Sequence, residues 1–199
     1  MSKAERTRAH IVENAAAVFN QRGYAGASMA DLMAATGLKK GGLYNHFRSK
    51  DELALAAFDY AIEQMQQRFR GAIAHRRHAT DRLIAMLRVY EHMLDQPPIA
   101  GGCPILNTAV DSDDTHPALQ AKAQAAMDGW RRLIIRIVNK GIARGELSAN
   151  IHADTVATVL ISTIEGSVMM SKLYNDTTYI QQALNHLKDY IQTQLAVPS

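Results

Sequence analysis

The stretch from Ser28 to Leu53 constrains the fold of this chain more than any other part of the sequence. Its residues, SMADLMAATGLKKGGLYNHFRSKDEL, predict two short helices joined by a glycine turn, followed by the start of a third helix. Ser28 and Asp31 have the spacing of a capping box, which begins a helix. Gly37 stands where a tight reversal requires a positive φ. The pattern therefore predicts a helix-turn-helix of the kind that binds DNA.

The second helix of this motif is predicted to run from about Lys39 to Phe47. Leu43 and Phe47 lie four residues apart and form its buried face. Gly41 and Gly42 each cost a helix about 1 kcal/mol relative to alanine, so a helix kept only for core packing would not need both. The opposite face is short and polar and can lie against a groove. Its residues are Lys39, Lys40, Gly42, Tyr44, Asn45 and His46.

The chain from Thr7 to Asp59 resembles the N-terminal domain of the TetR (tetracycline-repressor-like) family of bacterial transcriptional regulators. The shared marks are Phe19 with Arg22-Gly23-Tyr24, Ser28 with Asp31-Leu32, Gly37, Lys40-Gly41, Leu43-Tyr44, His46-Phe47, and Ser49-Lys50-Asp51-Glu52-Leu53. Lys39 and Gly42 depart from the family pattern, in which Ser and Ala are common there, and this bears on the operator sequence. The resemblance implies a DNA-binding domain over residues 1–50 and a helical regulatory and dimerisation domain over residues 51–199.

Side-chain chemistry assigns roles within the motif. Contacts to base edges suit the residues at the start of the recognition helix, which are Lys39, Lys40 and Gly42. Phosphate contacts suit a hydroxyl, an imidazole, an ammonium group and a helix N-terminus, supplied by Tyr44, His46, Lys50 and Ser28. Tyr44 could instead be a core residue, but Leu43 and Phe47 already fill the buried face. The predicted DNA-binding residues are therefore Ser28, Lys39, Lys40, Gly42, Tyr44, Asn45, His46 and Lys50.

The charge of the chain is unevenly distributed. Residues 1–50 contain eight Lys and Arg against three acidic residues, whereas the remainder contains fourteen against sixteen. A basic N-terminal segment attracts nucleic acid through counterion release, although without the motif scattered surface cations would be the simpler interpretation. The single cysteine excludes an internal disulfide and fits a reducing compartment. No basic start precedes an apolar run, and no stretch of ~18 apolar residues occurs, so we expect a cytoplasmic protein without membrane insertion.

Helical periodicity extends over the whole chain, and no strand pattern or repeat accompanies it, so the fold is predicted to be all-α. A first helix is predicted to end at Gly23, and a long helix begins at Ser49 and carries an apolar stripe as far as Phe69. Residues 71–80 interrupt the pattern and are predicted to form a loop. His75 and His78 lie three residues apart in it, but without further ligands nearby we assign no metal. We also assign no cofactor.

The last two predicted helices indicate a dimer. Residues 155–173 are apolar almost all round, and the striped helix over 178–195 can cover only part of that surface. A partner subunit would cover the rest. The TetR resemblance implies a four-helix bundle formed by these two helices and their partners, which places two recognition helices about 34–36 Å apart on a palindromic operator.

A second set of residues suggests an effector site, because it is apolar with a few polar groups. Its members are Met65, Phe69, Tyr90, Met93, Cys103, Leu106, Asn107, Trp130, Ile134, Glu165, Met169 and Met170. For each of them, ordinary core or dimer interface is the alternative. Glu165 can bind a ligand donor or pair across the dimer. Cys103, near a predicted helix N-terminus, could be a reactive thiol, but a small buried residue is the simpler interpretation.

Catalytic motifs are missing from the sequence: it has no phosphate-binding loop, dinucleotide fingerprint, GxSxG or helical zinc motif. We therefore do not expect an enzyme. The preferred interpretation is a repressor that binds a palindromic DNA operator as a homodimer and is released by a small apolar or aromatic effector. The alternative is a DNA-binding dimer with no small-molecule input.

Overall fold

The computed structural model describes residues 1–113 and 115–197, and this part of the chain is helical apart from turns and one isolated bridge between Leu147 and Ala196. The all-α prediction is confirmed. The helices are α1 Lys3–Gly26, α2 Met29–Thr36, α3 Lys40–Tyr44, α4 Lys50–Ile73, α5 Ala79–Glu91, α6 Pro104–Asp111, α7 Pro117–Ala143, α8 Ala153–Tyr174 and α9 Thr178–Tyr190, followed by a π-helical turn over Ile191–Leu195.

The chain forms two compact units. The first contains residues 1–65 and 97–126, and the second contains residues 66–96 and the chain from residue 127 onward. The boundaries fall inside α4 and α7, which each begin in the first unit and end in the second. Much of α4, together with α6, belongs to the same compact unit as the N-terminal helices. The predicted division at residue 50 therefore remains a proposal about which residues bind DNA and which regulate.

The core of the first unit forms where α1, α2 and α4 meet. Ile11 and Ala15 of α1, Leu32 of α2 and Leu43 of α3 are 0–2 % exposed. Burying a Leu or Ile side chain stabilises a fold by about 1.5–3 kcal/mol. Phe47 belongs to the same cluster, as its spacing from Leu43 predicts. This cluster fixes the helix-turn-helix against α1.

Three element boundaries differ from the predictions, each for a local reason. Helix α3 ends at Tyr44, but the N–H of Phe47 still bonds to the Leu43 carbonyl at 3.0 Å, so the chain continues as a helical turn into the core. Helix α1 passes Gly23 with a kink at φ 72°. Helix α4 runs on to Ile73, because burial of Phe69 and Ile73 outweighs the cost of one glycine at 71.

The second unit packs α9 between α5 and α8. The apolar stripe of α9, formed by Ile180, Leu184 and Leu187, is buried within the protomer. Among the described residues, α8 is one helix that is long and apolar enough to cross a membrane, and 50 % of its apolar window is buried inside the protein. The outer face of α8 exposes large apolar side chains, namely Val159, Met169, Met170, Leu173 and Tyr174.

Candidate nucleic-acid interface

The start of α2 is held by the predicted capping box. The Asp31 N–H donates to Ser28 Oγ at 3.1 Å, and Asp31 Oδ2 accepts from the Ser28 N–H at 2.9 Å and from its hydroxyl at 2.7 Å. These hydrogen bonds from Ser28, with a smaller contribution from Arg22, lower the pKa of Asp31. The cap uses the Ser28 hydroxyl and the N–H groups of Ser28 and Asp31. A phosphate at this helix end would therefore meet the N–H groups of Met29 and Ala30 instead.

The turn between α2 and α3 has the predicted geometry. Gly37 adopts φ 69°, ψ 12°, the left-handed conformation that ends α2. Thr36 next to it is buried, and its hydroxyl donates to the Leu32 carbonyl at 2.7 Å. The Thr36 carbonyl lies 3.1 Å from His10 Nε2, which fastens the turn to α1. The position of α3 is therefore set by hydrogen bonds as well as by apolar packing.

Helix α3 presents its polar face to solvent. Lys39, Lys40 and Asn45 are exposed and Tyr44 is 42 % exposed, whereas Leu43 is buried. The Tyr44 hydroxyl contacts Met29 Sδ at 4.0 Å, and Lys40 Nζ lies 5.9 Å from the centre of the Tyr44 ring. Gly42 and His46 are partly exposed. Tyr44 is thus a surface residue, consistent with its predicted phosphate contact rather than with a core role.

The two glycines of α3 are not required by packing within the protein. A Cβ added at Gly41 would meet nothing within 4 Å, and one at Gly42 would lie 3.5 Å from Leu38 Cβ, an ordinary contact. Neither residue has a positive φ. The missing side chains instead leave the outer surface of α3 flat, which allows the backbone to approach a base-pair edge.

Lys50, a predicted phosphate contact, is partly engaged inside the protein. Its Nζ donates to the Tyr24 carbonyl at 2.6 Å and lies 4.4 Å from the Tyr24 ring centre. The ammonium group retains two further protons, so a phosphate contact stays a prediction. Sequence reasoning omitted Arg48, which is exposed between His46 and Lys50. Its positive charge, in the same short run as His46 and Lys50, is the sequence signal that indicates a phosphate contact.

Tyr24 joins several elements of the first unit. Its hydroxyl donates to Asp51 at the start of α4, and its N–H donates to Asp111 Oδ2 at 2.7 Å, at the end of α6. The His116 ring meets it edge-on, with centres 4.5 Å apart. The hydrogen bond to Asp51, with burial and the Asp51 charge, raises the pKa of Tyr24 to about 12. Tyr24 therefore stays neutral at physiological pH and fixes the end of α1.

The predicted effector-lining residues divide between the two compact units. Those in the first unit are Met65, Cys103, Leu106 and Asn107, and those in the second are Phe69, Tyr90, Met93, Trp130, Ile134, Glu165, Met169 and Met170. The Nδ2 group of Asn107 donates to the Asn20 carbonyl and side chain at 3.0 Å, so it serves to join α6 to α1. Met169 is 54 % exposed and Met170 38 %, which places both on the protomer surface rather than in its interior.

Three aromatic side chains from this set do come together in the second unit. The Trp130 ring stacks on Tyr90 with centres 5.5 Å apart and an angle of 12°, and on Phe69 at 5.8 Å and 28°. Trp130 Nε1 is buried and has no hydrogen-bond acceptor among the described residues. All three rings are buried, and a buried donor without an acceptor costs about 1–3 kcal/mol, so this cluster contains one unsatisfied hydrogen-bond donor among apolar rings.

Comparisons with known proteins agree with this geometry. Residues 11–57 match the sequence profile of the tetR family of bacterial regulatory proteins, and residues 79–187 match that of the tetracyclin repressor-like C-terminal domain. A TetR transcriptional regulator from Chloroflexus aurantiacus is 47 % identical in sequence and superposes with a TM-score of 0.96 over 100 % of both chains.

More distant proteins share the fold or a transcriptional role. The HTH-type transcriptional repressor DhaR from Mycobacterium sp. (strain GP1) is 23 % identical, and the match covers 89 % of this chain and 88 % of DhaR. A cysteine mutant of the TetR family regulator CifR, solved with a 26-base-pair double-strand operator DNA, is 22 % identical with a TM-score of 0.80. That match covers 93 % of this chain and 95 % of the CifR chain.

Proposed function

We propose, since this chain belongs to the TetR family of bacterial transcriptional regulators, that it is a repressor which binds a palindromic operator as a homodimer and is released by a small molecule. As a member of this family it is a DNA-binding regulator and not an enzyme. Its action on DNA makes the cytoplasm its expected location.

The exposed face of α3 is the observation that supports sequence-specific DNA binding. Two lysines and a tyrosine surround a pair of glycines that the protein's own packing does not require. Lys39 and Lys40 suit guanine O6 and N7 in a major groove, and Tyr44 suits a phosphate oxygen. The capping box and the Gly37 turn hold these groups in place before DNA arrives, so little ordering is needed on binding.

The outer face of α8 supports the homodimer. Val159, Gly166, Met170 and Leu173 recur on one side of the helix and form an apolar stripe without a side chain at its middle position. A contiguous exposed apolar surface of this kind marks an association site. The stripe of α9 is used within the protomer, so α9 would add its outer, polar face to this proposed interface. Two-fold symmetry then favours a palindromic operator.

The aromatic cluster supports an effector site in the second unit. A flat ligand that stacks on Trp130, Tyr90 or Phe69 and carries one hydrogen-bond acceptor would satisfy the buried indole N–H. Helix α4, which carries Phe69, begins in the first unit, three residues after Phe47. We call the helix-turn-helix of α2 and α3, residues 28–47, the reading head. A ligand-dependent shift of α4 therefore has a covalent route to the DNA-binding residues.

Selection from a random duplex library, followed by operator titration, tests the proposal. We expect a palindrome whose half-sites lie one helical turn, about 10–10.5 base pairs, or a multiple of it apart. The variant Lys39→Ala, Lys40→Ala, Tyr44→Ala should lose at least about tenfold in operator affinity, because a good base contact is worth about 1–3 kcal/mol. Arg88→Ala, at an exposed position of α5 outside α3 and the proposed dimer interface, is the control. Unchanged affinity in the triple variant contradicts the assignment of α3.

Fluorescence of Trp130, the only tryptophan, tests the effector part. Small aromatic compounds that quench it saturably should weaken operator binding by about 5–150-fold, the range of a typical coupling of 1–3 kcal/mol. Compounds that bind saturably and leave operator affinity unchanged would favour a regulator without small-molecule input.

A further inference from the structure

A basic cavity lies in the second unit, between the start of α5 and the end of α7. Its volume is about 150 Å³, well above the roughly 10–15 Å³ that one water needs. Five cationic side chains and one carboxylate line it, and these are Arg77, Arg82, Arg136, Lys140, Arg144 and Glu146. The cavity belongs to a different unit from α3, and DNA reading does not account for it.

The cations converge from separate segments of the sequence. Arg77 precedes α5 and Arg82 lies on its first turns, whereas Arg136 and Lys140 are four residues apart on one face of α7. Arg144 follows the end of α7. Because the two segments are about sixty residues apart, only the fold brings them together. The His75-Arg76-Arg77-His78 run is a loop in the structure, as the sequence predicts. Arg77 of this loop lines the cavity.

The carboxylate in the cavity does not balance these charges. Glu146 Oε2 accepts from the Ala79 N–H at 2.8 Å, and its Oε1 lies 3.9 Å from Arg144 Nη1. Glu146 therefore caps α5 and faces one arginine. Arg82 Nε is buried and has no acceptor among the described residues. Four further cations line the same cavity, and a bound anion would offset the repulsion among them.

Stabilisation of helix ends explains only part of this cluster. Lys140 and Arg144 lie at the C-terminal end of α7, where cations interact favourably with the helix dipole. Arg82 lies at the N-terminal end of α5, where the dipole disfavours a cation. The buried Nε–H of Arg82 lacks an acceptor, although Asp81 and Glu146 place negative charge at the start of α5. An anion bound in the cavity would supply an acceptor for this N–H.

We propose that this cavity binds a small molecule through a phosphate-bearing, multiply charged head group. A single carboxylate has two oxygens and one charge, which one arginine can pair by itself. A diphosphate group presents more oxygens and several charges, which matches a cavity lined by the guanidinium groups of Arg77, Arg82 and Arg136 and the ammonium group of Lys140, in addition to Arg144 beside Glu146. The rest of the ligand can extend into solvent, because the cationic side chains at the rim are exposed.

Isothermal titration of the full-length protein with inorganic diphosphate, in the absence of DNA, tests the proposal. We expect one site per chain and a weaker, competing interaction of orthophosphate. Arg82→Gln with Arg136→Gln should reduce diphosphate affinity at least about tenfold, since each change removes a charge-assisted hydrogen-bond donor. Arg88→Gln with Arg132→Gln removes the same charge from exposed positions of the same two helices outside the cavity, and should retain wild-type affinity.

Several outcomes would overturn the proposal. They are an absence of diphosphate binding, an equal loss of affinity in the control variant, citrate binding as tightly as diphosphate, and displacement of diphosphate by duplex DNA that lacks the operator. Thermal denaturation monitors folding of each variant. If the double variant unfolds, Arg136→Gln alone, at an exposed position, serves the same comparison.

Discussion

At the scale of single residues, Asp31 holds the start of the reading head. Its carboxylate accepts from the backbone and hydroxyl of Ser28, and its Oδ1 lies 2.5 Å from Arg22 Nη1 of α1. The pKa of Asp31 is lowered from its ordinary 3.8, first by the Ser28 hydroxyl. Its contribution to stability is therefore fully present above that ordinary value, and is lost as the pH falls through the lower, folded-state pKa.

We expect Ser28→Ala to raise the pKa of Asp31 toward its ordinary value, because it removes the hydroxyl that donates to the carboxylate. The same change removes the acceptor of the Asp31 N–H and should lower the free energy of unfolding by about 1 kcal/mol at neutral pH. NMR titration of the Asp31 carboxyl carbon and urea denaturation measure the two effects. Thr193→Ala, at an exposed hydroxyl of the π-helical turn, is the control. An unchanged Asp31 pKa in Ser28→Ala would refute the role given to the cap.

At the scale of elements, the end of α1 is fastened to α6 and to the loop before it. The Asn20 Nδ2 group donates to the carbonyls of Ala100 and Gly102, both at 3.0 Å. Asp111 accepts from the N–H of Tyr24, and its carboxylate occupies the place where a side chain at position 23 would lie. The first helix of the DNA-binding region is thus fixed by polar contacts made eighty to ninety residues later in the chain.

Gly23→Ala tests this junction. A Cβ at position 23 would clash with the Asp111 carboxylate, and the residue has φ 72°, so we expect destabilisation of about 2 kcal/mol or more. Gly26→Ala is the matched control, because its Cβ would lie 3.8 Å from Arg22 Cβ without positive φ, and it should be neutral or stabilising. Urea denaturation compares the two. Equal effects of both substitutions would show that the Gly23 conformation is not needed.

Local signals account for what the sequence predicts well at this scale. Ser28, Asp31 and Gly37 act on neighbours within a few residues, so the caps and the turn of the helix-turn-helix could be predicted. The partner of the α9 stripe could not be predicted. Leu184 and Leu187 give the same apolar pattern in the sequence whether α5 or a partner subunit covers them. The basic cavity is not predictable, because nothing in the sequence relates Arg82 to Arg136, which are 54 residues apart. The exposure of Met169 is not predictable either, because it depends on how α8 packs.

At the scale of the whole molecule, the proposed dimer links the outer face of α8 to the spacing of two reading heads. Val159 is 36 % exposed and Met170 38 %, eleven residues or about three turns apart on the same side of the helix. Both lie outside the protomer core, so a charged side chain there should leave the monomer folded. Leu184 and Leu187, at 5 % and 1 % exposure, are unsuitable for this purpose, because a charge there would unfold the protomer itself.

We expect Val159→Glu with Met170→Glu to convert the dimer into a folded monomer at micromolar concentration. Two glutamates per subunit, four in the interface, would have to be desolvated without partners, at a cost of several kcal/mol. Operator affinity should fall at the same time, because each head would then bind its half-site independently. Gln124→Glu with Ala125→Glu adds the same charge at exposed positions of α7 and should stay dimeric. Analytical ultracentrifugation and circular dichroism decide between the possibilities. A wild-type monomer, or a double variant of α8 that remains dimeric with wild-type operator affinity, would show that subunits do not associate through α8.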